Sequence, residues 1–349
     1  MSTRSGFFLE DFDVGRVFHH ATPRTITAGD RSLHVALTGS RFAMASADSF
    51  ATSCGFARAP VDDVLVFNMI FGKTVPDISA NAIANLGYAA GRFTAPVHEG
   101  DTLDAASQVI GRRELSNGRS GIVWVRSTGR NQDGRTVLDY VRWVMVNKRD
   151  QASPAPETIV PELADAVDPA SIVIPEGLDL SGYDWVAAGN GTDWNSLKCG
   201  QRFDHVDGMT IEEAEHQMAT RLYQNTARVH FDQHRSSATR FGRRIVYGGH
   251  IISLARALSF NGLSHACLVA ALNGGRHTAP TFAGDTIYAW SEVLEKAEIE
   301  GRLDMGLARL RTVAAKNHPC DDHPDHDDDD RDHPDKVLDL DYWVVMPRR

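Results

Sequence analysis

The stretch Gly91-Arg-Phe-Thr-Ala-Pro-Val-His-Glu-Gly-Asp-Thr102 decides the fold, because it occurs again as Gly275-Arg-His-Thr-Ala-Pro-Thr-Phe-Ala-Gly-Asp-Thr286, 184 residues later. Upstream of it, Gly15-Arg-Val-Phe-His-His20 aligns with Gly200-Gln-Arg-Phe-Asp-His205 at an offset of 185. Self-similarity at a nearly constant offset indicates a duplicated structural unit. The 349-residue chain is therefore predicted to contain two copies of one fold.

A third match locates an insertion in the second copy. Val137-Leu-Asp-Tyr-Val-Arg-Trp-Val-Met145 resembles Val337-Leu-Asp-Leu-Asp-Tyr-Trp-Val-Val345, now at an offset of 200. In the first copy, Asn131-Gln-Asp-Gly-Arg-Thr136 precedes this run, and its Asp-Gly is typical of a hairpin turn. In the second copy, residues 317–336 replace that turn.

The insertion also explains the net charge of the chain. Residues 317–335 contain nine Asp and one Arg, so they carry −8 of the formal −10. A run of like charges without apolar residues is typical of a solvated, mobile loop, and its four histidines have no recognised metal-ligand spacing. We therefore expect no metal site there. The nearly neutral remainder has no basic stripe, which argues against a nucleic-acid partner.

The order of elements in each copy predicts an α+β fold. A short amphipathic helix comes first, and Thr210-Ile-Glu-Glu213 has the spacing of a capping box before the one in the second copy. An apolar helix follows, at 64–75 and 250–259, and three β-type runs then favour an antiparallel meander. We predict two antiparallel sheets, each wrapped around a long central helix, that either face each other or pair edge to edge. The predicted domains are 1–147 and 195–349, joined by a proline-rich linker at 148–194.

The remaining composition excludes several classes of protein. The N-terminal sequence lacks the apolar run of a signal peptide, and no stretch reaches the length of a membrane helix, so we expect a cytoplasmic protein that does not bind membranes. Cys54, Cys199, Cys267 and Cys320 show no Cys-x-x-Cys spacing. They are interpreted as reduced thiols.

Several motifs resemble the MaoC-like dehydratases, also called hydratase 2, which have the hotdog fold. That family has the Arg-Phe-x-x-Pro-Val-x-x-Gly-Asp-Thr turn seen at 92–102, and a loop that Gln224-Asn-Thr-Ala-Arg-Val-His-Phe-Asp232 resembles. This loop, residues 66–79 and residues 247–262 are most similar to the mesaconyl-CoA hydratases within the family. The resemblance implies a tandem, or double, hotdog enzyme that hydrates a CoA thioester without a cofactor, and a homodimer.

The resemblance also implies which residues carry the chemistry. His230 matches the family's catalytic histidine and can exchange a proton near neutral pH. Asn225 stands where the family has an aspartate, and because a carboxamide is no base, we expect it to orient water. Asp232 is a possible compensating carboxylate. Gly248 and Gly249, before the apolar helix, are predicted to form an oxyanion hole from backbone N–H groups.

A carboxylated substrate also requires a cation, and the candidates are Arg228, Arg244 and Lys73. No metal is expected to take part.

The first copy provides an internal control. At an offset of 185, Ser40 aligns with Asn225 and Ala45 with His230, so the base is absent and one site per chain is expected. Three alternatives stay open: a general (R)-specific enoyl-CoA hydratase, a hotdog acyl-CoA thioesterase, and a non-catalytic acyl-CoA binder.

Overall fold

The computed structural model describes residues 6–327 and 329–349. The first half of the chain forms β1 (Val17–Thr25), α1 (Ala28–Thr38), α2 (Ala43–Ser46), α3 (Asp48–Ser53), α4 (Asp63–Ile78), β2 (Ala82–Phe93), β3 (Thr102–Glu114), β4 (Ser120–Arg130) and β5 (Thr136–Asn147). The second half forms β6 (Arg202–Asp204), β7 (Met209–Thr210), α5 (Glu213–Leu222), α6 (Gln233–Ser236), α7 (Gly248–Leu258), α8 (Phe260–Leu263), β8 (Leu268–Arg276), β9 (Thr286–Glu298), β10 (Met305–Lys316) and β11 (Lys336–Pro347). Short 3-10 turns lie at Leu9–Asp11, Pro169–Ser171, Leu180–Gly182 and Arg228–His230.

The strands join into one antiparallel sheet. Its order is β1-β3-β4-β5-β2-β8-β11-β10-β9-β6, with β7 also paired to β9. The two copies meet edge to edge where β2 pairs with β8, which removes one exposed edge from each half-sheet. The two predicted sheets are therefore the halves of one continuous sheet.

The repeated motif forms the same turn in both copies. Gly100 and Gly284 have φ angles of +94° and +91°, a left-handed conformation that favours glycine. The next residue accepts a backbone N–H bond within the turn: Asp101 from His98 at 2.8 Å, and Asp285 from Phe282 at 2.9 Å. Gly-Asp-Thr is thus preserved because the turn that starts β3 and β9 requires it.

The two apolar helices are buried, as predicted from their composition. All residues of α4 from Val64 to Val75 are buried, as is α7 from Gly249 to Leu258. Side chains from both helices and from the strands of both halves contribute to one large hydrophobic core. Because this core spans the junction, the helix of one copy can contact loops of the other.

The predicted capping box at Thr210–Glu213 is wrong. Helix α5 begins at Glu213, and no side chain caps it. The Thr210 hydroxyl instead lies 2.7 Å from that of Thr286, across β7 and β9. The Glu213 carboxylate forms an ion pair with Arg244. Tertiary partners thus override a local capping signal in this segment.

The segment between the copies packs against the second half. The Val167 carbonyl accepts a bond from the Trp343 indole at 3.1 Å, and the Val167 N–H donates to Asn273 at 2.8 Å. Leu178, Leu180 and Tyr183 are buried in the same region. The segment is irregular but held in place by these contacts.

The acidic insertion differs from the expected solvated loop; Asp328 lies outside the described residues. Asp325 pairs with Arg311 through two bonds of 2.6 and 2.7 Å, and it lies 2.7 Å from the fully buried Lys336 Nζ. The Pro324 carbonyl accepts a bond from the Trp290 indole at 3.1 Å. The aspartates near the sheet therefore compensate partly buried Arg311 of β10 and fully buried Lys336 of β11, which the charge pattern of the segment alone did not reveal.

Candidate active site

A cavity of about 550 Å³ opens between the two halves of the molecule. Its walls come from α4 and β2 of the first half and from the loops before α7 and β9 of the second half. The residues that line it include Phe71, Ser79, Asn85, Tyr88, Asn225, His230, Arg240, Tyr247, Gly248 and His277. No Asp or Glu lines this cavity among the described residues. Any acid or base within it must therefore be a group other than a carboxylate.

His230 lines the cavity with its tautomer fixed by the backbone. Its Nδ1 lies 2.9 Å from the Ile245 carbonyl, and because a carbonyl can only accept, Nδ1 carries the proton. Nε2 then has a free lone pair and forms no hydrogen bond with the described protein groups. Desolvation lowers the pKa of His230 to about 4, since burial disfavours the charged imidazolium. The residue is therefore a neutral base at physiological pH.

Asn225 is buried in the same wall and is oriented by its own turn. Its Oδ1 accepts a bond from the Ala227 N–H at 2.9 Å. This bond occupies the acceptor end of the carboxamide and leaves the Nδ2 donor available to the cavity. Asn225 can thus donate a hydrogen bond to water or to substrate.

Helix α7 begins beside these two residues without a side-chain cap. Tyr247 is its N-cap, and the N–H groups of Gly248 and Gly249 have no acceptor among the described residues. Free N–H groups at a helix start attract negative charge. A Cβ on Gly248 would lie 2.5 Å from the His277 ring, so glycine is required for this packing. Gly248 lines the cavity, whereas Gly249 is buried beside it.

Comparisons with known proteins agree with this arrangement. The family model for mesaconyl-CoA hydratase matches residues 2–325. A β-methylmalyl-CoA dehydratase of Chloroflexus aurantiacus is 58% identical, with 99% of each chain covered, and a mesaconyl-CoA hydratase of Cereibacter sphaeroides is 54% identical, with all of both covered.

The chain belongs to the mesaconyl-CoA hydratase family.

Solved structures place this family member among the double hotdog proteins. A MaoC domain protein dehydratase from Chloroflexus aurantiacus superposes with a TM-score of 0.97 at 57% identity, covering 100% of this chain and 99% of that one. A conserved protein of Mycobacterium tuberculosis described as having a double hotdog fold gives 0.75 at 25% identity, with 99% of each covered. The predicted fold and family are confirmed, and the relatives' names identify them as hydro-lyases.

The structure gives Asp232 a different environment from the other candidates. Its carboxylate caps α6 by accepting the Arg235 N–H at 3.1 Å, and it lies 3.3 Å from the Arg235 side chain. Asp232 is not among the residues that line the cavity. Capping of α6 and the contact with Arg235 account for this carboxylate, which does not reach the cavity.

The three predicted cations also lie outside the cavity lining. Arg228 is exposed, and Arg244 is paired with Glu213. Lys73 Nζ donates to the Thr22 carbonyl at 2.6 Å and to the Gln224 side chain at 3.2 Å, while burial lowers its pKa to about 8. None of them reaches into the cavity in this arrangement.

Lys73 nevertheless helps to position the loop that carries Asn225 and His230. It holds Gln224, the residue directly before Asn225. The neighbouring Gly72 allows a close approach, since a Cβ there would lie 1.7 Å from the Tyr223 carbonyl oxygen. Helix α4 of the first copy therefore supports the loop that carries Asn225 in the second.

Sequence reasoning missed several residues of the cavity wall. His277 was visible in the repeated motif, where it replaces Phe93, but its approach to Gly248 depends on tertiary packing. Its Nε2 lies 3.4 Å from the Tyr88 hydroxyl, and desolvation lowers its pKa to about 4. Exposed Arg240 lines the same cavity. The departure from the repeat was the one available signal for His277.

The corresponding place in the first copy is closed. Ser40, Ala45 and Asp62 line a space of about 10 Å³ beside the start of α4. The Asp62 carboxylate accepts the N–H groups of Val64 and Leu65 at 2.9 and 3.3 Å, so it caps the helix. This arrangement supports the prediction of one competent site per chain.

The described residues offer one group with metal-ligand spacing. Ligand atoms of His318, His333 and Asp335 lie within 4.8 Å of one another in the acidic insertion. None of the three lines the cavity that contains His230.

In the part of the chain that the structure describes, no helix combines the length and apolar character needed to cross a bilayer.

Proposed function

We propose that this protein reversibly adds water across the double bond of mesaconyl-CoA to form β-methylmalyl-CoA. The observation that carries the proposal is the free Nε2 of His230, fixed by the Nδ1 bond to Ile245, in a cavity that also contains the uncapped start of α7. The names of the relatives supply the substrate, and the cavity supplies the groups that hydration needs.

In the proposed reaction His230 is the general base. Its Nε2 takes a proton from water while the water oxygen bonds to the carbon β to the thioester. Electrons of the double bond move onto the thioester oxygen, and the N–H groups at the start of α7 stabilise this enolate. His230 then returns its proton to the α-carbon, so atoms and charge balance and no second base is needed.

The role proposed for Asn225 follows from its orientation. Its Oδ1 is engaged with Ala227, so the Nδ2 donor can hold the water oxygen with a lone pair directed at the substrate. The same hydrogen bond from Asn225 keeps the water oxygen directed at the β-carbon while the water loses its proton. This arrangement would allow the site to function with asparagine where the MaoC-like dehydratases in general have aspartate.

Arginines near the mouth of the cavity are suited to the phosphates of CoA. The segment 228–244 contains five arginines and one acidic residue. Arg240 lines the cavity and Arg243 stacks on Phe282 at 4.0 Å. Guanidinium groups bind phosphate through paired, charge-assisted hydrogen bonds. We therefore assign the nucleotide end of the substrate to this segment.

Steady-state rates test the proposal directly. The purified protein should convert mesaconyl-CoA in one direction and β-methylmalyl-CoA in the other, followed by enoyl-thioester absorbance and chromatography of the products. Faster turnover of crotonyl-CoA would favour a general enoyl-CoA hydratase. Release of free CoA from saturated thioesters would favour a thioesterase, and binding without conversion would favour a simple binder.

The absence of a carboxylate from the described cavity wall argues against a thioesterase that uses one on its long helix.

The proposal includes a cytoplasmic homodimer. Light scattering of the purified protein would give its mass in solution, and a monomeric mass would overturn that part.

A further inference from the structure

Arg142 is a buried cation without a counterion. It lies on β5 and is fully buried, yet no carboxylate forms an ion pair with it among the described residues. Its guanidinium donates only to neutral groups: Thr74 Oγ1 at 2.7 Å, Ser79 Oγ at 2.9 Å and Asn85 Oδ1 at 3.4 Å. Its Nε has no hydrogen-bond partner among the described residues. Burial correspondingly lowers the pKa of Arg142.

The surrounding fold offsets this charge in part. Thr74 and Ser79 belong to the last turn and the C-cap of α4, where the helix dipole is negative and favours a cation. The ring of Phe71 lies 4.3 Å from the guanidinium carbon and adds a cation–π contact. A helix terminus has about half an elementary charge, which leaves a buried guanidinium incompletely compensated.

The duplicated fold does not require a cation at this position. The corresponding residue of the second copy is Tyr342, also buried, and its hydroxyl lies 2.9 Å from that of Thr312. A neutral, hydrogen-bonded side chain thus fills the same place in the second half. A buried arginine at this position is thus specific to the first half, whose α4 and β2 form one wall of the cavity.

Arg142 lies directly behind the wall of the cavity. Its partners Ser79 and Asn85 and the ring it stacks on, Phe71, all line the cavity. The ring of Phe71 lies 5.6 Å from that of Tyr247, which in turn lies 5.6 Å from the His230 ring. The cation and the base therefore belong to one continuous site.

The same wall has hydrogen-bond donors that lack acceptors. Asn85 Nδ2, the Tyr247 hydroxyl and Arg142 Nε are buried and have no hydrogen-bond partner in the part of the chain that the structure describes. Buried polar groups in native proteins are normally paired, so this group of donors calls for an acceptor. Because no carboxylate of the described chain lines the cavity, the acceptor must come from outside the described chain, as water or as a group of a bound ligand. A carboxylate, with two oxygens and a negative charge, fits both needs.

We propose that Ser79, Asn85 and Arg142 form the subsite for the free carboxylate of the substrate. The assignment rests on the proposed function and replaces Arg228, Arg244 and Lys73 in that role. In mesaconyl-CoA the free carboxylate is attached to the carbon that water attacks. Its negative charge opposes addition of water, so a cation behind Asn85 both selects the carboxylated substrate and reduces that repulsion.

Binding of saturated analogues tests this subsite independently of turnover. Succinyl-CoA has a free carboxylate at the same distance along its chain as mesaconyl-CoA, and butyryl-CoA is its uncharged match. Calorimetry with the wild type should show a preference for succinyl-CoA. In Arg142→Met we expect succinyl-CoA to bind about 10- to 150-fold more weakly, as for loss of a hydrogen bond to a charged group, with butyryl-CoA little changed.

Two further variants keep the test informative if Arg142→Met does not fold. Asn85→Ala should reduce the preference for succinyl-CoA while leaving the buried arginine in place. The matched control is Arg126→Met on β4, a half-exposed arginine 3.4 Å from Asp139. It should bind both analogues as the wild type does.

The outcomes separate the subsite from the proposed function. Equal weakening of both analogues in Arg142→Met and Asn85→Ala would assign these residues to the fold, and no weakening would exclude them from binding. Either result overturns the subsite. A wild type that prefers succinyl-CoA but does not hydrate mesaconyl-CoA would support the subsite and overturn the function.

Discussion

The starts of the two long helices, α4 and α7, differ in a way that explains why one copy is open and the other closed. In the first copy the Asp62 carboxylate accepts the free N–H groups of α4. In the second copy Tyr247 is the N-cap, and the N–H groups of Gly248 and Gly249 have no acceptor among the described residues. A helix N-terminus can bind either an internal carboxylate or an external anion. In the first copy the internal carboxylate of Asp62 binds the helix N-terminus. In the second copy the N-terminus of α7 stays open to an external anion.

The cavities beside these helices differ accordingly, at about 10 Å³ in the first copy and about 550 Å³ in the second. The first copy has not become inert, because α4 supports the catalytic loop and supplies the wall around Arg142. Duplication has thus separated two tasks that a single hotdog unit would have to combine. The second half carries His230 and Asn225, and the first half supports their loop and forms the facing wall of the cavity.

Removing the base should have the largest effect. We expect His230→Ala to lower kcat by about 10²- to 10⁴-fold, the usual contribution of general acid–base catalysis, with the fold retained. Steady-state kinetics with mesaconyl-CoA measure this loss. His234→Ala, an exposed histidine nearby, is the control and should turn over normally. Near-normal activity of His230→Ala would exclude it as the base.

A side chain added at Gly248, at the start of helix α7, should cause the next largest loss of turnover. In Gly248→Ala the new Cβ would meet the His277 ring at 2.5 Å and displace it. We expect turnover to fall by about 10- to 100-fold, as small displacements in active sites commonly cause. Gly274→Ala is the control, since its Cβ would have no neighbour closer than 4.0 Å. Equal kinetics for the two variants would remove Gly248 from the site.

The pH dependence should reveal the desolvated base. Because the pKa of His230 is lowered to about 4, its neutral form persists as pH falls, and kcat/KM for hydration should decline only as pH approaches about 4. An ordinary histidine would lose activity below about 6.5. A decline centred near 6.5 would contradict the assignment.

The same burial affects stability in acid. The pKa values of fully buried His205 and of His230 are both lowered to about 4, so the unfolded chain binds protons that the folded chain does not as pH falls below about 6.5. Stability should therefore decrease from about 6.5 towards 4, and rates should be compared only where thermal melts show a folded protein.

Removing the cap of the first copy should affect stability rather than catalysis. Asp62→Ala exposes two N–H groups of α4 without creating a base, so we expect a loss of about 0.5–2 kcal/mol in unfolding free energy. Denaturant titration measures it, and kcat should not change. Asp62→Asn, which can still cap, is the matched control. A gain of a second active site in Asp62→Ala would break the comparison.

The smallest effect on turnover is expected from the acidic insertion. Replacing residues 318–335 with Asp-Gly should leave kcat unchanged, because the segment contributes no residue to the described cavity wall. Stability should fall by roughly 1–3 kcal/mol, since Lys336 and Arg311 lose Asp325 as a partner. Asp325→Asn should reproduce much of this loss in a thermal melt. A large loss of activity would show a role in catalysis.

Local patterns were sufficient for the fold and for the catalytic loop. The Gly-Asp-Thr motif specifies a turn with positive φ, and that chemistry is visible in sequence because few residues tolerate it. His230 and Gly248 were identified by family resemblance, and both line the cavity. Their catalytic roles stay predictions.

The cation of the site could not be found in the same way. Arg142 lies in an ordinary β-type run, and what distinguishes it is the lack of a counterion, which depends on every neighbour in three dimensions. Arg244 and Lys73 were attractive in sequence because they lie near the motifs, but their side chains contact Glu213 and Gln224 and do not line the cavity. Proximity in sequence does not predict where a long side chain finds its partner.

The sequence by itself thus determined the duplication and the hotdog architecture and pointed to His230 as the proposed base, because repeats, turns and motifs are local and periodic. Tertiary structure alone decided that the two half-sheets fuse, that Asp325 of the insertion pairs with Lys336 and Arg311, and that Arg142 has no counterion among the described residues. Each of these depends on the balance of desolvation and partner charges across distant segments. That balance exists only once the chain is folded.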